Sequence, residues 1–267
     1  MRSLVLLAVL VAGAVPLQGA DPLADARRLY NQGQYDAAER AARDALRIPA
    51  SAEGARVVLG RIQLERHRRS SAPADLSDAI AALSAVDTRR LDARERIELT
   101  VGLAEALYLE DRFGAAAALF ESALNSSAAL GPVAHGRVLD WWATALDRQA
   151  QTRPSAERQD LFARIGARMA TEIAKDSGSQ PAAYWLAAAA RGAGDFDRAL
   201  NEATAGWVRA QLAGDRGEAL RADLDRLVVQ GILRDRAARL SLKDHTQALA
   251  GMVAEWEAFK ARWTPLK

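Results

Sequence analysis

The sequence predicts an all-α fold, an α-solenoid of about five helix hairpins closed by a C-terminal helical cap. Three observations point there. Of 267 residues, 60 are Ala and 32 are Arg, and Ala loses no rotamer entropy in a helix. One pattern of an aromatic residue followed by small residues recurs along the chain at helical spacing. Alternating runs of Val, Ile, Thr and Tyr that would mark strands are absent.

The composition also sets limits. The chain has no Cys, so it offers no disulfide, no thiolate nucleophile, no Cys-bound zinc or iron–sulfur cluster, and no N-terminal lipid-modified cysteine. It carries 36 basic and 34 acidic side chains. So balanced a charge gives no general attraction to nucleic acid or to a membrane surface, and neither is expected as a partner.

Residues 1–20 read MRSLVLLAVLVAGAVPLQGA. Arg2 precedes an apolar run from Leu4 to Val15, and Pro16 and the small residues Gly19 and Ala20 follow. This is the three-part order of a secretory signal peptide. The run is about 12 residues, against the ~20 that a spanning helix needs. Cleavage after Ala20 fits the start of the polar helical register at Asp21. Cleavage after Ala14 fits a small-x-small pattern, and retention as an anchor is the third outcome. The expected location is periplasmic or secreted, with no stable membrane insertion once the leader is gone.

The repeat occupies residues 21–210. GQYDAAERAARDA (33–45), DRFGAAAALFESA (111–123) and GDFDRALNEATAG (194–206) share one register. It is Tyr35, Ala38, Ala42, Ala45; then Phe113, Ala116, Phe120, Ala123; then Phe196, Ala199, Ala203, Gly206. A weaker copy is Leu76, Ala79, Leu83, Val86. Spacings of three and four place each set on one helical face, and the small side chains let a neighbouring helix come close. Amphipathic stretches at 22–32, 52–66, 93–110 and 181–193 precede the copies. Residues 133–150 and 156–175 are helical in pattern and supply a further unit. HRRSSAPAD (67–75) reads as an inserted loop, with Pro73 and the paired serines as its markers. Ser155 is the expected N-cap of the helix from 156, and Pro181 suits a first turn. Residues 211–267 are the capping helices. Leu220, Leu224, Leu227, Val228 and Ile232 form one stripe there, and Leu249, Met252, Val253, Trp256, Phe259 and Trp263 form another.

The copies resemble the tetratricopeptide repeat. The Leu-Gly pair of that family's first helix has counterparts in Leu59-Gly60, Leu103-Ala104 and Leu186-Ala187, and Pro49 stands near its helix-ending proline. The steps between copies are longer than the family's 34 residues. The resemblance implies a right-handed solenoid whose first helices line a concave groove for a protein or peptide. The partner-binding candidates it carries over are Arg27, Tyr30, Asn31, Arg61, Leu64, Glu65, Glu105, Tyr108, Leu109, Tyr184, Ala188 and Arg191. The family's Lys/Asn carboxylate clamp is not reproduced. The result is an exported, non-catalytic scaffold, and which partner it holds is open.

Residues that could carry chemistry are sparse. His67, His135 and His245 are far apart and show no metal-site spacing. His67 lies in RHRR (66–69), either an anion-binding loop or a solvated helix end. RGAGDF (191–196) lacks the Lys-Ser/Thr of a phosphate loop and reads as a hairpin turn. No catalytic residue, metal or cofactor is called for. Trp141 and Trp142, adjacent on one helix, point about 100° apart and cannot both be buried one way. One of them is a candidate aromatic wall for a ligand. A pocket near Trp141, Trp142 and Trp185 would make the protein a periplasmic small-ligand-binding member of the class, accessory to a solute transporter. Trp207 is expected to pack under the cap.

Overall fold

The computed structural model describes residues 21–240 and 242–264. The proposed leader, 1–20, lies outside the described residues. The chain is all-helical, and no strand occurs among the described residues.

Thirteen α-helices follow one another among the described residues. They are α1 (Pro22–Asn31), α2 (Tyr35–Leu46), α3 (Ala52–Ser70), α4 (Pro73–Ser84), α5 (Ala93–Leu109), α6 (Phe113–Leu124), α7 (Pro132–Gln151) and α8 (Ser155–Lys175). Then come α9 (Gln180–Gly192), α10 (Phe196–Leu212), α11 (Glu218–Leu227), α12 (Leu233–Ala237) and α13 (Leu242–Trp263). A π-helical turn, Val228–Ile232, joins α11 to α12.

The three strong copies of the repeat begin helices at their aromatic residue, Tyr35 in α2, Phe113 in α6 and Phe196 in α10. The turns before α2 and α10 place Gly33 and Gly194 at φ 72° and 81°, a region where an L side chain is strained. The small positions are fully buried: Ala38, Ala42, Ala116, Ala199 and Ala203 have no exposed surface. The Leu-Gly motif has the same cause. A Cβ on Gly60 would lie 2.7 Å from Leu83 Cγ, so the glycine sets how closely α3 and α4 approach.

The packing is repeat-like. From α1 to α11 each helix packs on the next, and the odd-numbered helices also pack side by side, α1 on α3, α3 on α5, α5 on α7, α7 on α9 and α9 on α11. The even-numbered helices α2, α4, α6 and α8 form no such row. The odd helices α1 to α11 thus form one continuous row.

Two expectations need correction. The segment 67–75 is not a loop: α3 runs to Ser70, α4 starts at Pro73, and only Ser71 and Ala72 lie between. Arg and His sustain the helix, Arg68 bonds back to Glu65 at 2.8 Å, and Ser71 ends it with φ 55°. Ser155 is the first residue of α8 rather than its cap; Pro154 occupies the cap position without a side-chain bond. At the other end, Leu220, Leu224, Leu227, Val228 and Ile232 are buried as one stripe. Trp207 meets Trp256 of α13 edge-on, ring centroids 5.6 Å apart, beneath these helices. Trp263 is about half exposed.

Candidate functional site: a polar hollow along the odd-numbered helices

The site is assembled from one face of each of four first helices. Arg61, Glu65 and Arg68 on α3, Arg94, Glu98, Val101 and Glu105 on α5, and Ala134, Arg137, Val138 and Trp141 on α7 recur at steps of three and four. With Tyr30 and Asn31 of α1 and Tyr35 of α2 they line a hollow of about 470 Å³. Two contacts bridge it. The Arg68 guanidinium lies over the Trp141 ring at 4.4 Å, and an Arg137 Nη donates to the carbonyl oxygen of Asn31 at 3.1 Å.

Charge in the hollow is mostly paired. Arg94 bonds Glu98 at 3.0 Å, Arg27 bonds Glu98 at 2.9 Å and Glu95 at 3.2 Å, and Arg61 bonds Glu105 at 3.2 Å. Glu95 also closes a capping box with Asp92 at the start of α5, so it both starts that helix and orients Arg27. The Arg61 guanidinium sits 4.6 Å over the Tyr30 ring. Burial pushes the Tyr30 phenol well up, with Arg61 in partial opposition. Burial also pushes the Glu105 carboxyl above its ordinary range, and Arg61 again offsets part of the rise. For Arg61, burial disfavours the charge, but Tyr30, Glu105 and Glu98 outweigh it and the net shift is upward.

Of the residues singled out from the sequence, Tyr30, Asn31, Arg61, Glu65, Glu105 and Trp141 meet in this hollow. Arg27 lines a narrow crevice beside it with Tyr30, Val57 and Glu98. Tyr108 stands behind Trp141, edge-on with centroids 4.9 Å apart. Tyr184, Ala188 and Arg191 line a second hollow, of about 460 Å³, with Asp147, Trp185 and Asp235. There the Arg191 Nε donates to Asp235 at 2.7 Å. Room for Arg191 comes from the π-helical turn, where a Cβ on Gly231 would lie 2.7 Å from its Cζ. Burial pushes the Asp147 carboxyl and the Tyr184 phenol upward.

Trp142 is a correction. It is 1% exposed in the core with Phe162 and Ile165, because the 100° step that turns Trp141 to the hollow turns Trp142 away. Trp141, Trp142 and Trp185 therefore do not share a pocket: Trp185 lines the second hollow, its indole N–H donating to Asp140 at 2.7 Å. Leu64 is fully buried among the residues that pack α3 and α4, and Leu109 packs against the same cluster, so neither lines the hollow.

Arg68, Arg94, Glu98, Arg137 and Tyr35 were missed. Three of them had a usable signal: Arg68 is seven residues after Arg61, Glu98 is seven before Glu105, and Arg137 is four before Trp141. Arg68, read from sequence as part of a loop or a solvated helix end, is a wall of the hollow.

No family model, curated protein sequence or solved structure matches the chain.

A second polar cluster lies outside the hollow. The buried Ser127 Oγ is 2.8 Å from His135 Nδ1, and His135 Nε2 is 3.1 Å from Glu172 Oε2. It resembles a hydrolase triad only in composition. In a triad the carboxylate orients Nδ1 and the serine faces Nε2. Here the ring is reversed, and Ser127 has no exposed surface from which to attack a substrate. The cluster ties α7 to α8 and to the 3-10 turn Ser127–Leu130. Glu172 is held below the usual carboxylate range: burial alone would raise it, and His135, Lys175 and Arg168 more than reverse that. Among the described residues no group of three or more His, Asp or Glu is placed to hold a metal ion, and no helix is long and apolar enough to cross a membrane.

Proposed function

We propose that the protein is an exported, non-catalytic scaffold of the tetratricopeptide type, a right-handed solenoid that holds a protein or peptide segment in the hollow between α1, α3, α5 and α7. The observation that carries this is the hollow itself. It combines Arg and Glu along α3 and α5, and adds Arg137 of α7 and the rings of Tyr30, Tyr35 and Trp141. Such a surface suits a peptide, whose backbone needs hydrogen-bond partners and whose side chains need both charge and apolar contact. The aromatic starts of α2, α6 and α10, the buried small residues behind them and the row of odd helices support the repeat type. The leader-like order of residues 1–20 supports export, to the periplasm or outside the cell.

The test is selection of a displayed random peptide library on the intact chain, followed by titration of single peptides against the Trp141→Ala variant. Peptides that bind the parent and lose affinity in the variant are expected. A failure to select any Trp141-dependent peptide, with a metabolite raising the melting temperature instead, overturns the scaffold in favour of small-ligand binding. For export, the mass of the chain recovered from an envelope fraction should begin at Asp21 or Val15; recovery of the full-length chain from cytoplasm alone would sink that part.

A further inference from the structure

Among the groups that line the hollow, Arg61 Nε is buried without a hydrogen bond although the same guanidinium is paired with Glu105, and two further groups, one of each sign, are left open by the protein's own contacts. On the floor of the hollow Glu105 is 4% exposed. Its Oε1 accepts from Arg61, but its Oε2 is buried and has no hydrogen-bond partner among the described residues. A buried carboxylate oxygen without a donor carries an uncompensated desolvation cost. At the rim is Arg137. Arg61, Arg68 and Arg94 each face a carboxylate, respectively Glu105, Glu65 and Glu98. Arg137 is the exception among the groove arginines: it bonds the neutral carbonyl of Asn31, and no carboxylate stands within ion-pair distance of it among the described residues.

We propose that the hollow recognises a dipolar segment, a partner peptide that presents a basic side chain to Glu105 and an acidic side chain to Arg137. This rests on the scaffold reading and specifies its ligand. A cation suits the open Glu105 oxygen better than a neutral donor does, because a hydrogen bond between two ionised partners is the stronger one. An acidic group suits Arg137 because its present acceptor is an exposed neutral carbonyl, whereas a carboxylate brings the opposite charge and can accept two parallel bonds from the guanidinium.

The experiment is the library selection repeated on three proteins: the parent, Glu105→Gln and Arg137→Gln. The parent's pool should be enriched in both Lys/Arg and Asp/Glu over the unselected library. The Glu105→Gln pool should lose the basic enrichment and keep the acidic one, and the Arg137→Gln pool should do the reverse. One parent-selected peptide should lose roughly ten- to a hundredfold in affinity against each variant, the scale of a hydrogen bond to a charged group. If Glu105→Gln does not fold, replacing the peptide's Lys by norleucine tests the same contact on the parent protein, with the same loss expected. Trp141-dependent peptides without charge enrichment, or enrichments that survive both substitutions, overturn the dipolar ligand and leave the scaffold standing. The absence of any Trp141-dependent peptide overturns both.

Discussion

The guanidinium of Arg68 lies 4.4 Å over the ring of Trp141 and so couples the C-terminal end of α3 to the middle of α7, 73 positions later in the chain. Glu65 bonds the same guanidinium from one turn earlier, which fixes its direction. The Arg68 side chain is 38% exposed, so the contact belongs at the weak end for a cation over an aromatic face, about 0.5–1 kcal/mol. A double-mutant cycle of Arg68→Ala and Trp141→Leu, followed by urea denaturation, should return a coupling of about that size. Additive single losses would show that the two residues act separately.

Glycine in this fold acts in two opposite ways, and one pair of substitutions separates them. Gly60 faces Leu83, which is 1% exposed and has nowhere to move. Gly60→Val should cost about 2 kcal/mol or more through overpacking. Gly166, inside α8, has nothing within 4 Å of a would-be Cβ. There Gly166→Ala should stabilise by about 1 kcal/mol through helix propensity alone. A denaturation midpoint for Gly60→Val at or above that of the parent would overturn the close α3–α4 contact.

The hairpin register was legible because it is local. Tyr35, Phe113 and Phe196 announce helix starts, and the small residues behind them reveal a close neighbour whatever that neighbour is. Half of the hollow was legible for the same reason, since Tyr30, Arg61, Glu65 and Glu105 follow from counting along each first helix. The rest depends on what faces what. Leu64 is within one residue of Glu65, yet it belongs to the α3–α4 core, because a single 100° step separates wall from interior. Arg68 looked like part of a solvated run until α7 supplied the ring beneath it. The Ser127–His135–Glu172 cluster had no signal at all, since its members are brought together only by the stacking of α7 on α8.

That cluster carries stability. Ser127 has no exposed surface, and its hydroxyl is the partner of His135 Nδ1. Ser127→Ala leaves a ring nitrogen without that partner and should cost about 1–3 kcal/mol. Urea denaturation measures it. A loss below about 0.5 kcal/mol would mean that water replaces the hydroxyl freely.

Two buried glutamates should shape the acid limb of stability with opposite signs. Glu53 accepts from Arg56 and from the Asp87 backbone N–H at 3.1 Å. Burial alone would raise its carboxyl, but these donors and Arg90 hold it below the ordinary 4.5. The unfolded chain therefore takes up a proton first. The contribution of Glu53 is fully present above pH 4.5 and is lost as pH falls through the lower folded value. For Glu105 burial wins, and the folded carboxyl titrates above 4.5. Its folded state takes up the proton first, so its contribution is most favourable below pH 4.5 and is lost as pH rises through the higher folded value. Chemical denaturation from pH 3 to 7 should show a shallower acid loss for Glu53→Gln than for the parent. For Glu105→Gln the stability gained between pH 4.5 and neutrality should be larger than in the parent, because the opposing group is gone. Parallel curves for both variants would place these carboxyls at the same pKa folded and unfolded, and would remove the electrostatic account of the hollow's floor.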